Sequence, residues 1–135
     1  MTEETGYAIL YASVKYSIPD LGDNMLKTEI RLNQDRILRE GRYTEESLYA
    51  AIDKVFSKHG FGKSVLEDGT IVYSGNGKSS DYGTFGMIIT GLKDKAWFMN
   101  YLDKWLWYNS DDGADENDFS IEDILYHYTK RASAA

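Results

Sequence analysis

The sequence lacks cysteine altogether and contains only one proline and two histidines in 135 residues. Without cysteine the chain can form neither disulfides nor thiolate metal sites, which is compatible with a reducing cytoplasm. No apolar run approaches the roughly 20 residues that a membrane-spanning helix needs. The acidic start Met-Thr-Glu-Glu also lacks the basic and then apolar pattern of a signal peptide. We therefore expect a cytoplasmic protein without a membrane segment.

Complete catalytic and cofactor-binding motifs are lacking as well. Gly77–Ser79 resembles the end of a phosphate-binding loop, but the upstream glycine of that motif is missing. His59 and His127 do not stand in a metal-binding spacing. Residues 111–122 have the length of a calcium-binding loop, but Glu116 occupies the place that requires glycine. We therefore expect no enzyme activity, no cofactor and no metal.

Basic residues are in deficit, since 15 lysines and arginines face 22 aspartates and glutamates and give a net charge of −7. An acidic balance argues against direct nucleic-acid binding, which requires a basic surface. The excess of negative charge is concentrated in one segment, because eight carboxylates and one lysine, Lys104, lie between residues 101 and 125. These carboxylates are Asp103, Asp111, Asp112, Asp115, Glu116, Asp118, Glu122 and Asp123.

All three tryptophans lie between residues 97 and 108. At about 100° per residue, most of the aromatic and aliphatic side chains of this segment fall on one face, which predicts a buried helix. Trp107 falls on the polar side of that helix. It either packs under a neighbouring loop or stands exposed as an anchor for a partner.

An acidic, solvated loop is predicted over 109–118, because this stretch is too polar to pack. A last helix is predicted after it, with Ser120 as N-cap and Asp123 in a variant of the capping box. Tyr126 points away from the apolar face of this helix, beside Glu122. The acidic loop is thus expected to join the last two helices.

Alternating polar and apolar residues predict two strands nearer the start of the chain, over 7–18 and 26–32. Residues 36–42 are ambiguous between a strand end and a helical turn. A helix is predicted after Thr44, which is a good N-cap and precedes an apolar stripe at helical spacing.

Three further strands are predicted in the middle of the chain. Asp68-Gly69 between apolar runs predicts a hairpin of strands over 63–67 and 70–75. Residues 84–90 predict a buried strand. The predicted order is β-β-α-β-β-β-α-α in a single domain over 1–135. This indicates an α+β fold with a mostly antiparallel sheet of about five strands and helices packed on one face.

The acidic, aromatic end of the sequence favours a protein-binding function without enzyme activity. Closely spaced carboxylates can imitate a phosphate backbone and occupy the basic groove of a nucleic-acid-acting enzyme, while aromatic side chains fill pockets that stack bases. Inhibitors of the anti-CRISPR, antirestriction and toxin-immunity types share this composition. We expect a basic partner surface to contact Asp103, Trp107, Tyr108, Asp111, Asp112, Asp115, Glu116, Asp118, Glu122 and Tyr126.

Two alternative functions fit the same sequence. A generic interaction module would use its acidic end only for solubility. A small-molecule-binding domain would hold a pocket between the sheet and the tryptophan-containing segment.

Overall fold

A computed structural model describes residues 26–109 and 120–134 of the chain. In chain order its elements are β1 (Leu26–Leu32), α1 (Gln34–Glu40), α2 (Glu45–Ser57), β2 (Gly62–Val65), β3 (Ile71–Ser74), α3 (Asp81–Leu92), α4 (Ala96–Met99), β4 (Leu102–Asn109), β5 (Ser120–Asp123) and α5 (Ile124–Thr129). None of the helices in these two ranges is long and apolar enough to cross a membrane. The strand predicted over 7–18 lies outside the described residues.

The five strands form one sheet in the order β2-β3-β1-β4-β5, and every neighbouring pair is antiparallel. The predicted fold class, an α+β fold with a mostly antiparallel five-stranded sheet and helices on one face, is confirmed. The order of elements differs from the predicted one, because the sequence-based assignment exchanged helix and strand in two segments.

One face of the sheet carries the helices. Cross-strand partners share a face, so Thr28 lies beside Tyr73 of β3 and Trp107 of β4. Phe56 of α2 stacks on Tyr73, with ring centroids 4.0 Å apart. Phe85 of α3 packs against Trp107 at 5.1 Å. These ring contacts fix α2 and α3 side by side over the central strands.

The opposite face carries charged side chains that are buried. Lys27 and Glu29 are only 3% and 2% exposed, although lysine and glutamate are seldom buried without partners. Glu29 Oε1 lies 3.1 Å from Nζ of Lys104, and Lys27 Nζ lies 4.7 Å from the ring centroid of Tyr108. Pairing between neighbouring strands thus offsets part of the cost of burying these charges.

The elements with strong local signals form where the sequence predicts them. Thr44 caps α2, since its Oγ1 accepts a hydrogen bond from the backbone N–H of Ser47 at 3.0 Å. The hairpin of β2 and β3 turns at Gly69, whose φ of 88° favours glycine. The ambiguous stretch 36–42 is mostly helical and ends α1 at Gly41, which also has a positive φ.

The helix predicted over 97–108 is wrong. Ala96–Met99 form a single helical turn, and the remaining residues form β4. β4 pairs with β1 from Asn109 to Leu102, with one register shift. Aromatic residues suit strands at least as well as helices, and pairing with a central strand outweighs the helical stripe. Trp105 and Trp107 consequently point to the same face, whereas a helix would place them about 200° apart.

The strand predicted over 84–90 is also wrong, because these residues lie in α3. The run Met-Ile-Ile-Thr favours a strand, and three glycines lower the helix propensity of the segment. The apolar face nevertheless has helical spacing and packs on the sheet. Its buried side chains are Asp81, Phe85, Ile88 and Leu92.

The predicted N-cap Ser120 is wrong as well, because Ser120 begins β5. The last helix starts three residues later, where Asp123 Oδ1 accepts a hydrogen bond from the backbone N–H of Tyr126 at 3.2 Å. Asn109 and Ser120 are cross-strand partners. Residues 110–119 therefore connect two antiparallel strands, not two helices as predicted.

Candidate functional site

A small cavity of about 270 Å³ lies between α3 and the strand pair β4-β5 with α5. Four elements contribute to its walls, and most of the side chains are aromatic or apolar. The lining residues are Tyr82, Gly86, Ile89, Thr90, Trp107, Glu122, Ile124 and Tyr128.

Three aromatic rings line this cavity. Trp107 is half-buried, with its ring centroid 5.1 Å from Phe85 and 6.4 Å from Tyr82. Tyr82 and Tyr128 are 56% and 42% exposed. The cavity therefore combines one aromatic residue that is fixed against the core with two rings that reach the surface.

Glu122 supplies the carboxylate of the cavity. It is the cross-strand partner of Trp107, so its side chain lies on the face that carries the helices. Its Oε2 is 3.4 Å from Nδ1 of His127, and about half of each of the two side chains is exposed. Tyr126 lies exposed nearby on α5, with the Nζ of Lys130 5.4 Å from its ring centroid.

Asp123 holds the wall of the cavity that β5 and α5 form. Besides capping α5 through Tyr126, its carboxylate accepts hydrogen bonds from the backbone N–H of Ser133 at 2.9 Å and from Ser133 Oγ at 2.6 Å. Ser133 Oγ in turn accepts the backbone N–H of Trp105 at 2.9 Å. This chain of hydrogen bonds ties α5 to β4 and so positions Tyr128 relative to Trp107.

The residues after α5 satisfy the edge of β4 that β5 leaves open. β5 pairs with residues 106–109. Beyond that point, the backbone N–H of Ala134 donates to the carbonyl of Asp103 at 2.8 Å, and Arg131 Nη1 donates to the carbonyl of Leu102 at 3.0 Å. Backbone groups of a strand edge need such partners, so the end of the described chain belongs to the same structural unit as the cavity.

Asp123 also makes the stability of this wall depend on pH. Partial burial would raise the pKa of its carboxyl, but hydrogen bonds from Ser133 and from the backbone N–H groups of Tyr126 and Leu125 outweigh burial. The pKa is therefore lowered from its usual 3.8. A lowered folded-state pKa gives stability that is complete above the unfolded-state value and is lost as the pH falls through the folded-state value.

We expect Asp123→Asn to reduce the loss of unfolding free energy that accompanies a fall in pH. Asparagine is also a good cap but does not titrate. In urea unfolding from about pH 6 to about pH 2.5, the wild type should lose about 1 kcal/mol more than the variant below about pH 4, because the carboxyl is partly exposed. Asp94→Asn at an exposed position is the control and should follow the wild type. An equally steep profile for Asp123→Asn would contradict this linkage.

The structure brings some of the predicted partner-binding residues together and separates others. Trp107 and Glu122 line the cavity, whereas Tyr126 is exposed on α5 and does not line it. Tyr108 faces the opposite side of the sheet beside Lys27. The predicted acids of the connection between β4 and β5, Asp111, Asp112, Asp115, Glu116 and Asp118, lie outside the described residues.

Asp103 belongs to a second, larger concavity of about 900 Å³ near the other end of β4. There Arg31 Nη1 is 2.6 Å from Asp68, and Arg31 Nη2 is 2.9 Å from Asp103. Tyr49 Oη accepts the backbone N–H of Leu32 at 3.0 Å, and burial raises the pKa of this phenol. Asp103 is thus paired with an arginine and stands apart from the aromatic cavity.

The sequence-based reasoning missed Tyr82, Gly86 and Tyr128. Residues 82, 86, 89 and 90 have the i, i+4, i+7, i+8 spacing of one helical face, which was a usable signal. The predicted strand over 84–90 conceals this spacing. Tyr128 lies on α5, and its ring is partly exposed at the cavity.

Within residues 26–109 and 120–134, no three side chains of histidine, aspartate and glutamate are arranged to hold a metal ion. No family model, characterised protein or solved structure is similar enough to this chain to count as a match. The function must therefore be inferred from the side chains and their geometry.

Proposed function

We propose that this protein is a non-enzymatic protein-binding protein that captures a basic surface of its partner. In the most specific form of the proposal, the partner is a nucleic-acid-acting enzyme and the protein is an inhibitor that imitates a nucleic acid. The observation that carries the proposal is an aromatic cavity with one carboxylate near the cross-strand partners Asn109 and Ser120, between which the sequence holds five further carboxylates.

The distribution of charge supports a local acidic contact. The described residues carry 14 lysines and arginines against 13 aspartates and glutamates, so this part of the chain is nearly neutral. Residues 110–119 contain five carboxylates and no basic residue. In the sequence these five carboxylates stand between Asn109 and Ser120, which are cross-strand partners at one end of the β4-β5 pair.

The aromatic cavity lies close to that end. Trp107 and Glu122 are each two residues from the partners Asn109 and Ser120, which is about 7 Å along a strand. Aromatic residues are enriched among the side chains that dominate binding energy, and clustered charge accelerates the encounter with a partner of opposite sign. Together they give a contact in which carboxylates attract the partner and aromatic rings provide the apolar surface that it buries.

The test is a four-residue variant in which Asp111, Asp112, Asp115 and Asp118 are replaced by asparagine. The bait is the full-length protein, and the sample is the heparin-retained fraction of a cell lysate, which is rich in proteins with basic nucleic-acid grooves. We expect the wild type to capture a partner, the variant to capture roughly tenfold less or none, and capture to weaken steeply with salt. The thermal unfolding midpoint should change little.

A matched control neutralises four exposed acids elsewhere, at Asp35, Glu46, Glu67 and Asp94, and should retain capture. Excess double-stranded DNA or RNA should release the captured protein if the acids imitate phosphates. Release by salt but not by nucleic acid would leave a protein-binding function and reject mimicry. Equal capture by the two four-residue variants would reject the proposal.

The second concavity supports one alternative, a small-molecule-binding domain. Its volume of about 900 Å³ lies within the range of roughly 300–1,000 Å³ that is usual for ligand pockets. Tyr49 and Arg31 provide polar groups at its wall. A ligand that binds only the folded state raises the unfolding temperature, so a metabolite screen by thermal shift separates this alternative from capture of a basic protein.

A further inference from the structure

We infer that the aromatic cavity receives the cationic end of a lysine or arginine side chain of the partner. This inference rests on the proposed function and specifies how the partner is recognised. Three features of the cavity carry it: the three rings, the carboxylate and the space beside Gly86.

The rings supply the first attraction. A cation within about 6 Å of an aromatic ring centroid is attracted by the ring quadrupole, and tryptophan is the best of the three ring types. Tyr82 and Trp107 stand at an interplanar angle of 77°, so they present two differently oriented surfaces, and Tyr128 adds a third. Such an arrangement surrounds a cation better than parallel stacked rings, which cover each other.

Neighbouring lysines already use the exposed rings of α5 in this way. Lys93 Nζ lies 5.8 Å from the ring centroid of Tyr128, and Lys130 Nζ lies 5.4 Å from that of Tyr126. Lys93 is also held by Asp94 Oδ1 at 3.0 Å and does not line the cavity. The ring surfaces on this side of the molecule are therefore accessible to ammonium groups.

Glu122 supplies the charge at the cavity. It is the carboxylate among the lining residues, and its neighbour His127 lies 3.4 Å from Oε2. A carboxylate hydrogen-bonded to a guanidinium or an ammonium group forms a charge-assisted interaction, which is stronger than a hydrogen bond between neutral groups. The cavity thus offers both ring faces and a carboxylate to the charged end of the side chain.

Gly86 provides the room. A Cβ atom built at Gly86 meets nothing within 4 Å, so the missing side chain leaves open space in the wall that α3 forms. Glycine inside a helix is less favourable than alanine, and no close backbone contact requires it here. A side chain at this position would therefore begin in open space at the cavity wall.

The size of the cavity favours a single side chain over a free ligand. Its volume of about 270 Å³ is below the range of roughly 300–1,000 Å³ that drug-sized ligands occupy. Its lining rings Tyr82 and Tyr128 are exposed at the surface, where the flanking surface of a partner protein can cover them.

The experiment titrates the full-length, ¹⁵N-labelled protein with amino-acid probes and follows the indole N–H signal of Trp107, assigned by its loss in Trp107→Phe. The probes are the N-acetyl, N-methylamide derivatives of lysine, arginine and norleucine, where norleucine is the neutral analogue of lysine. We expect the two cationic probes to bind about 2- to 30-fold more tightly than norleucine, the range that a cation–π contact provides.

Three variants locate the binding. Gly86→Leu should abolish the response of Trp107, whereas Gly91→Leu, on the same helix and also with open space around its Cβ, should retain it. Glu122→Gln should weaken the cationic probes and leave norleucine unchanged. Circular dichroism of each variant verifies that the fold persists.

Equal affinity for norleucine and lysine, or a retained response in Gly86→Leu, would overturn the inference. Choline is titrated in parallel, and binding of choline at least tenfold tighter than either amino-acid probe would identify a site for a small organic cation instead. If the probes fail while the four-residue acidic variant still loses capture, this inference fails and the proposed function stands. If the probes bind while both four-residue variants capture equally, the cation-binding inference stands and the proposed function fails.

Discussion

Replacement of Phe85 by alanine is expected to lower the free energy of unfolding by about 4 kcal/mol, as for other buried phenylalanines. Phe85 is fully buried in the middle of α3. Its ring stacks on Phe61 with centroids 4.3 Å apart and an interplanar angle of 3°, and it also contacts Phe56 and Trp107. Truncation leaves a void between α3 and the sheet that these rigid neighbours cannot fill.

Phe85→Ala should also change the packing around Trp107 in the candidate site, because Trp107 contacts Phe85. Urea unfolding measures the stability, and the emission of the tryptophans reports the change around Trp107. Met87→Ala is a matched control on the same helix; its side chain is exposed, so its effect should stay within about 0.5 kcal/mol. A loss below about 1.5 kcal/mol for Phe85→Ala would mean that α3 is not packed on the sheet as described.

Replacement of Lys104 by methionine should cost about 3 kcal/mol, since removing one partner of a buried ion pair leaves the other charge without compensation. Lys104 Nζ lies 3.1 Å from Glu29 Oε1, and the two side chains are 13% and 2% exposed. Methionine preserves most of the volume of the stem, so the loss reflects the charge and not a cavity. Urea unfolding at constant pH and salt measures it.

The double variant Glu29→Met with Lys104→Met should be more stable than Lys104→Met alone. Among the described residues, Glu29 Oε2 is buried without a hydrogen-bond partner, so the pair itself contributes little net stability. The difference between the double variant and the sum of the two single variants gives the coupling energy. A double variant less stable than both singles would show that each charge has another important partner.

Local signals determined part of this fold from the sequence alone. Thr44 and the apolar stripe that follows it specify α2, because a cap and a helical period fix both the start of a helix and its buried face. Asp68-Gly69 specifies the hairpin of β2 and β3, because the turn needs a positive φ that glycine adopts without strain. The alternation over 26–32 specifies a strand. Mostly antiparallel hairpins with intervening helices were enough to indicate the fold class.

Long-range pairing decided the segments where the local pattern was ambiguous. The aromatic residues of 97–108 fit a helical stripe and a strand equally, and only the backbone of β1 selects the strand. Residues 84–90 have strand-like composition, yet they form a helix whose Phe85 packs against Phe61 and Trp107. In both segments the choice depends on what lies opposite, which periodicity within a short window cannot reveal.

The sequence and the tertiary structure likewise determined different parts of the candidate site. The sequence by itself determined where the acids are concentrated and that Trp107, Glu122 and Tyr126 accompany them, because charge and residue type are local properties. Only the tertiary structure placed Tyr82 and Gly86 of α3 beside Trp107 and Glu122 and paired Asp103 with Arg31. The physical reason is that a cavity forms between elements that are far apart in the chain, and their relative positions follow from sheet register and core packing.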